Sequence, residues 1–306
     1  MRRKESEFGE WELTDISPTK LKMFYECPKK FHYRYIRKEK THNGIANLQG
    51  LSVHEVALEE YMGGGVQDVE ALVDLIGMDF ASRCETGDPR DYKTKIPVTP
   101  MEIMQGVEQV KTWARGFLNT LKTGKTPYGD PFNMPDVKAT EQELCCEVEL
   151  ENGMKIRLRG YTDLVFDDDS LGDLKLASDY FTARWSESKA LSEYQPVMYA
   201  KMHGTDTFRY VIIDKKMNFK KREAYSPDVR VIEVKLDRIH FDRLLEDIEY
   251  FVQSVDLFNE YENGFFPCRP IYDGENKQNI GQPAKTFCTQ LCGFKEICFK
   301  ENFCGE

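Results

Sequence analysis

No run in the 306-residue chain approaches the roughly 20 consecutive apolar residues that a membrane-crossing helix needs. The opening Met-Arg-Arg-Lys, followed by acidic residues, lacks the apolar stretch of a secretory signal. Internal repeats and low-complexity linkers are also missing, so nothing in the composition forces a domain cut. Positive charge is in deficit: 42 Lys+Arg face 52 Asp+Glu, a net charge of -10, which disfavours indiscriminate binding to nucleic acid. These absences predict a soluble, cytoplasmic protein with no membrane attachment. What is present excludes wholesale disorder, because 41% of residues are hydrophobic and 31% charged. Nine cysteines without a signal peptide read as reduced thiols or metal ligands, not as a disulfide framework.

Ser17-Pro18 is a helix start, since Ser caps free amides and Pro fits the first helical position. That helix is predicted to reach about Glu26, and Pro28 opens a second, short one through Phe31, Tyr35 and Ile36. Residues 48–61 read as helical, and 101–122 as an amphipathic helix carrying Met104, Val107, Trp113, Leu118 and Leu121. After Pro135 the texture changes. Apolar runs at 143–150, 155–166 and 170–176 are broken by Asn152-Gly153 and Asp167-Asp168-Asp169, predicting three successive antiparallel strands. A helix over 187–203, strands near 207–214 and 229–236 and a helix over 237–262 follow, then an irregular tail from Phe265. This order predicts a mixed α/β fold with a helical N-terminal half.

The segment from Gly160 to Ala177 holds Asp163, Asp173 and Lys175. Asp173 and Lys175 are two apart on one predicted strand and share a face, and hairpin pairing would bring Asp163 to join them. Two carboxylates and an ammonium on one face are costly unless a cation and a charged substrate use them. Metal-assisted phosphodiester hydrolysis fits: the carboxylates hold Mg²⁺ or Mn²⁺, and the lysine positions or helps deprotonate the attacking water. Leu174 could add its carbonyl as a ligand. Asp167, Asp168 and Asp169 read as a loop. His54 lies in a predicted helix, and Gln195 and Tyr199 sit one helical turn apart, where they could meet a phosphate or a base. Thr123-Gly124-Lys125-Thr126 has the ending of a phosphate-binding loop, but Asn119 replaces the first Gly and a helix precedes it. It reads as a helix-end turn, leaving the chain without an ATP motor.

Cys288, Cys292 and Cys298 form C-x3-C-x5-C, and Cys27 stands alone near the other end. Together they would complete a four-sulfur site for zinc or an iron–sulfur cluster, clipping the tail to the N-terminal helices. Cys268 and Cys304 are possible substitutes, while Cys84, Cys145 and Cys146 read as buried apolar thiols. Positive charge concentrates at Lys20, Lys22, Lys29, Lys30, Arg34, Arg37, Lys38 and Lys40, interleaved with Phe24, Tyr25, Phe31, Tyr33 and Tyr35. A second basic stretch comprises Lys215, Lys216, Lys220, Lys221 and Arg222. Both suit phosphate contacts, the first with base stacking, and both could equally be solvated faces.

The order S-P-T-K-L-K-M-F-Y-E-C-P, G-L-S-V-H, G-Y-T-D, D-L-K, Q-P-V-M-Y and then the cysteine triplet resembles the iron–sulfur branch of the PD-(D/E)XK nucleases. That branch includes RecB-like and AddB-like domains and the CRISPR-associated adaptation exonucleases. The resemblance spans about Ser17 to Cys298 and implies a restriction-endonuclease-like mixed sheet flanked by helices. It implies one domain over 1–306, with a helical insertion at about 62–135 and a cysteine-rich tail at about 265–306. It further implies His54, Asp163 and Asp173 as metal ligands, Lys175 as the catalytic lysine and Gln195 and Tyr199 as the Q-x-x-x-Y pair. Cys27, Cys288, Cys292 and Cys298 match the ligands of a [4Fe–4S] cluster. The activity implied is a Mg²⁺- or Mn²⁺-dependent DNA exonuclease acting at single-stranded ends, in partnership with a helicase or a recombination or adaptation complex. The rival is a non-catalytic DNA-binding or assembly subunit of such a complex.

Overall fold

The computed structural model describes residues 15–62, 64, 67–91, 96–178, 185–218, 222–260, 266, 292–294 and 296–298. Cys268, Cys288, Cys304, Lys220, Lys221 and most of the tail from Phe265 therefore lie outside the described residues. The chain enters through β1 (Asp15–Ile16) and α1 (Pro18–Glu26), where Ser17 Oγ accepts the Lys20 amide at 3.3 Å. Extended Cys27 separates α1 from α2 (Pro28–Phe31), which runs on as a π-helical turn over His32–Ile36. α3 (Ile45–Val56) continues likewise over Ala57–Met62. Next comes α4 (Val69–Gly87), which the sequence reading did not resolve within the helical insertion. Its signals are local: Asp68 accepts from the Glu70 and Ala71 amides, and Leu72, Val73, Ile76, Phe80 and Cys84 are buried at helical spacing. α5 (Pro100–Thr123) starts with a Thr99–Glu102 capping box and ends at Gly124, whose φ of 65° closes the helix. Thr123–Thr126 is thus the helix-end turn expected.

β2 (Val137–Glu149), β3 (Lys155–Phe166) and β4 (Leu171–Ser178) pair antiparallel in succession, as predicted. β2 begins earlier than the apolar run suggests, because its first residues alternate only weakly and are held by the ladder to β3. The predicted helix over 187–203 is two helices, α6 (Glu187–Leu191) and α7 (Tyr194–His203). Pro196 is the reason. It has no N–H for an intrahelical bond, so it fits only the first turn of a new helix. β5 (Thr207–Asn218) and β6 (Glu223–Lys235) form an antiparallel pair longer than predicted, and α8 (Arg238–Glu260) closes the described fold.

Among the described residues, six strands make one mixed sheet in the order β1-β3-β4-β5-β6, with β2 on the other edge of β3. β4 and β5 run parallel, joined through α6 and α7. One face is covered by α3, α4 and α5, whose Leu72, Phe80, Trp113 and Phe117 pack with Leu164, Val211 and Ile213. The insertion at 62–135 is therefore built into the main core. On the other face α1, α2, α7 and α8 bury Phe24, Phe31, Met198 and Phe251 against Ile156 and Leu158.

α5 crosses β6 so closely that a Cβ on Gly116 would lie 2.3 Å from Pro227 Cδ. Gly116→Ala gains about 1 kcal/mol of helix propensity. Overpacking against a rigid proline ring costs about 1–3 kcal/mol, so the clash wins. Urea denaturation is expected to show a lower midpoint for this variant; an unchanged or higher midpoint contradicts the packing.

Candidate active site

β2 occupies one edge of β3 along its length, so β4 and β1 share the other. β4 pairs only at Leu164 and Val165, and β1 only at Arg157 and Leu158. Among the described residues the edge between them has no strand partner, and the site is built in that gap. The β3–β4 turn is tied by Asp168, whose Oδ1 accepts the Ser170 amide at 3.1 Å, while Asp169 takes a left-handed φ of 57°. Lys138 pairs with Asp169 at 2.7 Å and Arg209 with Asp168 at 2.8 Å. The three consecutive aspartates form the loop that the sequence suggested.

Continuing the Leu164–Gly172 register places Asp163 opposite Asp173 where the strands part. Asp163 Oδ2 accepts the Leu174 amide at 2.8 Å, replacing the lost ladder bond. His54, on the last turn of α3, brings Nε2 to 2.7 Å from the same oxygen. Asp173 is 2% exposed and pairs with Lys175 Nζ at 2.6 Å, while Gln195 on α7 donates to its Oδ1. Four elements thus deliver His54, Asp163, Asp173, Lys175 and Gln195 to one place. Tyr199 is buried, its ring over Gly160, where a Cβ would come within 2.4 Å of Cε1. Burial and the nearby charges of Asp173 and Asp163 raise its pKa, and the ring does not face solvent.

Glu141 was not among the predicted site residues, because it precedes the run first read as a strand. The flanking pairs Thr140–Leu164 and Gln142–Thr162 set it opposite Asp163, and its Oε1 lies 3.4 Å from His54 Nδ1. Its φ of 51° is the left-handed region inside a strand, a costly backbone for a non-glycine residue. Ligand atoms of His54, Glu141 and Asp163 all lie within 4.8 Å of one another. One imidazole and several carboxylates are a donor set that suits a divalent cation, so the residues fit a metal here.

The electrostatics agree. Burial pushes the Asp173 carboxyl up to about 7, reinforced by Asp163 and opposed by Lys175. Burial disfavours the His54 imidazolium, but Asp163, Glu141 and Asp173 outweigh it and raise its pKa. Burial likewise opposes the Lys175 ammonium and Asp173 overrides it, holding Lys175 protonated. Burial also raises Glu141, with His54 pulling the other way.

The other predicted groups divide. Cys27 and Cys292 are buried and Cys298 half-buried, and the Cys292 thiol, raised mainly by burial, feels both of the others. Cys288 lies outside the described residues. Cys84 is buried, but Cys145 is exposed and Cys146 half-buried on alternating faces of β2, so the common buried reading holds only for Cys84. Of the aromatics interleaved with the first basic run, Phe24, Phe31 and Tyr33 are core, Tyr35 is half-buried and Tyr25 is exposed. Much of the basic charge is paired internally: Lys30 with Glu26, Arg37 with Glu39 and Arg222 with Glu102. Lys215 is instead half-buried near Trp113, 5.4 Å from the ring centre, and desolvation lowers its pKa to about 8.

An acidic centre with a strand-borne Asp-x-Lys, set where two strands of a mixed sheet part, is the arrangement of a hydrolase site of the restriction-endonuclease-like type. The chain belongs to the PD-(D/E)XK nuclease superfamily, whose family model matches residues 15–299. Membership makes it a nuclease with DNA as its substrate, in a family that generally uses divalent metals. No curated protein matches the chain. Among solved structures, SSO0001 is 14% identical, with 94% of this chain and 87% of that one covered at a TM-score of 0.40. LHK-Exo in complex with dAMP is 12% identical, covering 71% and 93% at a TM-score of 0.28. Likenesses this loose carry no argument about activity.

The metal-free site sets a pH dependence. Asp173 has a folded pKa above its ordinary 3.8, so the folded chain holds an extra proton between about pH 4 and about pH 7. Without a cation, stability falls as pH rises through that window. Metal binding displaces this proton, so Mn²⁺ affinity measured by calorimetry is expected to rise with pH up to about pH 7, and further wherever His54 still holds its proton. A pH-independent affinity contradicts the assignment.

Proposed function

We propose that the protein is a Mg²⁺- or Mn²⁺-dependent DNA exonuclease acting at single-stranded or free ends. The observation that carries this reading is the meeting of Asp163 and Asp173 from parted strands, with His54 and Lys175 each at ion-pair distance from one of them. The proposed metal ligands are His54, Asp163, Asp173 and the Leu174 carbonyl, with Glu141 as a further carboxylate. When bound, the metal supplies charge neutralisation at the phosphoryl group and an acidified water. Asp163 is oriented by the Leu174 amide, and Asp173 by Gln195. Lys175, held as an ammonium, acts by donating to the attacking water or to a phosphate oxygen; it is not poised as a base. Gln195 and Tyr199 are positioning residues, one fixing a carboxylate and the other the strand edge beside it.

The same reading makes residues 1–306 one domain, clipped by a [4Fe–4S] cluster on Cys27, Cys288, Cys292 and Cys298, with zinc as the alternative occupant. Support comes from Cys27, near the other end of the chain, lying close enough to Cys292 and Cys298 for its charge to act on the Cys292 thiol. Single-stranded ends would be supplied by a separate helicase or by a recombination or adaptation partner.

Labelled single- and double-stranded DNA with differently blocked ends, incubated with Mn²⁺ or Mg²⁺, tests the activity and its polarity. Lys175→Ala is expected to lose about 100-fold or more. Equal degradation by both proteins sinks the catalytic assignment. Purified without oxygen, the protein is expected to be coloured and to contain iron, both lost in Cys27→Ser; colourless, iron-free wild type removes the cluster and leaves zinc.

A further inference from the structure

Beside the acidic centre, exposed Tyr25 of α1 and Tyr250 of α8 form a file with half-buried Tyr194 of α7. Tyr250 and Tyr25 stack at 6.2 Å between ring centres and 25° between planes. Tyr25 and Tyr194 follow at 5.7 Å and 32°. Aromatic contacts are usually core packing, as among Phe24, Phe31 and Phe251, which are 2% exposed or less. Tyr25 and Tyr250 differ, at 37% and 59% exposed. The file is also held upright. The Tyr25 hydroxyl donates to the Asp247 carbonyl at 2.7 Å, and the Tyr194 hydroxyl to Asp247 Oδ2 at 2.9 Å. Rings fixed in this way have little freedom left to lose on meeting a ligand.

The file leads to the active centre. Tyr194 lies between Gln195, which bonds Asp173, and Glu193, which takes the Lys22 ammonium at 2.6 Å. The charge of Glu193 also reaches Lys189 and Lys175. Lys189 Nζ stands 4.7 Å from the centre of the Trp185 ring, which contacts Tyr210 at 4.8 Å. Tyr210 in turn lies 6.0 Å from Lys175 Nζ. Buried Tyr210 thus links half-buried Trp185 and Lys189 to Lys175 from below the surface.

Unpaired DNA offers what such a surface reads: exposed base faces for the rings and phosphates for the lysines. A duplex keeps its base faces stacked inside. Glu246 and Glu249 flank Tyr250 on α8, so at the outer end the rings favour bases and the charge turns phosphates away. We propose that Trp185, Lys189, Lys22, Tyr194, Tyr25 and Tyr250 form a track that stacks unpaired bases and leads the strand to Asp173 and Lys175. This rests on the nuclease reading and names the form of DNA that its centre receives.

The test is fluorescence anisotropy with the full chain in chelator, so that nothing is cut. Three probes are compared: a thymidine oligomer of about 16 nucleotides, an abasic oligomer of equal length and a blunt duplex. The Tyr25→Ala/Tyr250→Ala double variant is expected to bind the thymidine oligomer about tenfold or more weaker, with the other two probes unchanged. Tyr250→Phe, which keeps the ring, is expected to bind like wild type. Lys22→Ala is expected to weaken thymidine and abasic oligomers alike. Equal losses on thymidine and abasic probes in the tyrosine variant, or no loss at all, overturn the track. Normal cleavage by Lys175→Ala with selective loss of thymidine binding overturns the nuclease centre and leaves the track standing.

Discussion

Asp163 Oδ2 accepts the Leu174 amide at 2.8 Å where the β3–β4 ladder gives out, and His54 Nε2 faces the same oxygen at 2.7 Å. That bond is where fold and chemistry meet. A buried amide without a partner is expensive, so a strand can leave its neighbour only if something replaces the missing carbonyl. Here the replacement is a carboxylate, which frees the edge of β3 and anchors an acid in the gap. The parting of β3 from β4 therefore creates the site and supplies its first charged group. Further along the strand the Tyr199 ring lies closely over Gly160.

The charge in the gap is held under tension. Asp173 is almost fully buried beside Asp163, and a buried carboxylate is tolerated only with a cation or a proton. Lys175 supplies one positive charge and His54 another when protonated. Against them stand Asp163, Asp173 and Glu141, the last on a backbone conformation that a strand does not favour. Such an arrangement is stable enough to fold and still short of positive charge, which is the condition for holding a divalent ion. The neighbouring rings and lysines give the centre an approach that matches an unpaired strand.

Much of this was legible in the residues. Ser17-Pro18, Pro28 and Asn152-Gly153 punctuate the chain by backbone chemistry alone, and the helices and the hairpin they announce are present. Asp173 and Lys175 share a face because a strand repeats every two residues. The misses also have physical causes. Pro196 divides the helix over 187–203, a rule available locally but outweighed by the apolar periodicity around it. Glu141 could not be read as part of the site because its importance comes from a partner 22 residues later, across a ladder. The aromatics of the first basic run looked alike in sequence, yet packing buried Phe24, Phe31 and Tyr33 and left Tyr25 outside.

The net charge of -10 and the missing apolar spans fixed only broad limits. Within them the sequence by itself determined the element types, the hairpin and the Asp-x-Lys pair, since each depends on spacing within a few residues. Tertiary structure decided which acids share a cavity, which cations are already paired and which rings remain exposed. Those properties depend on where strands part and helices cross. Contacts across such distances leave no period in the chain, so only the folded molecule could bring Glu141 to His54 and set Tyr194 in line with Tyr25 and Tyr250.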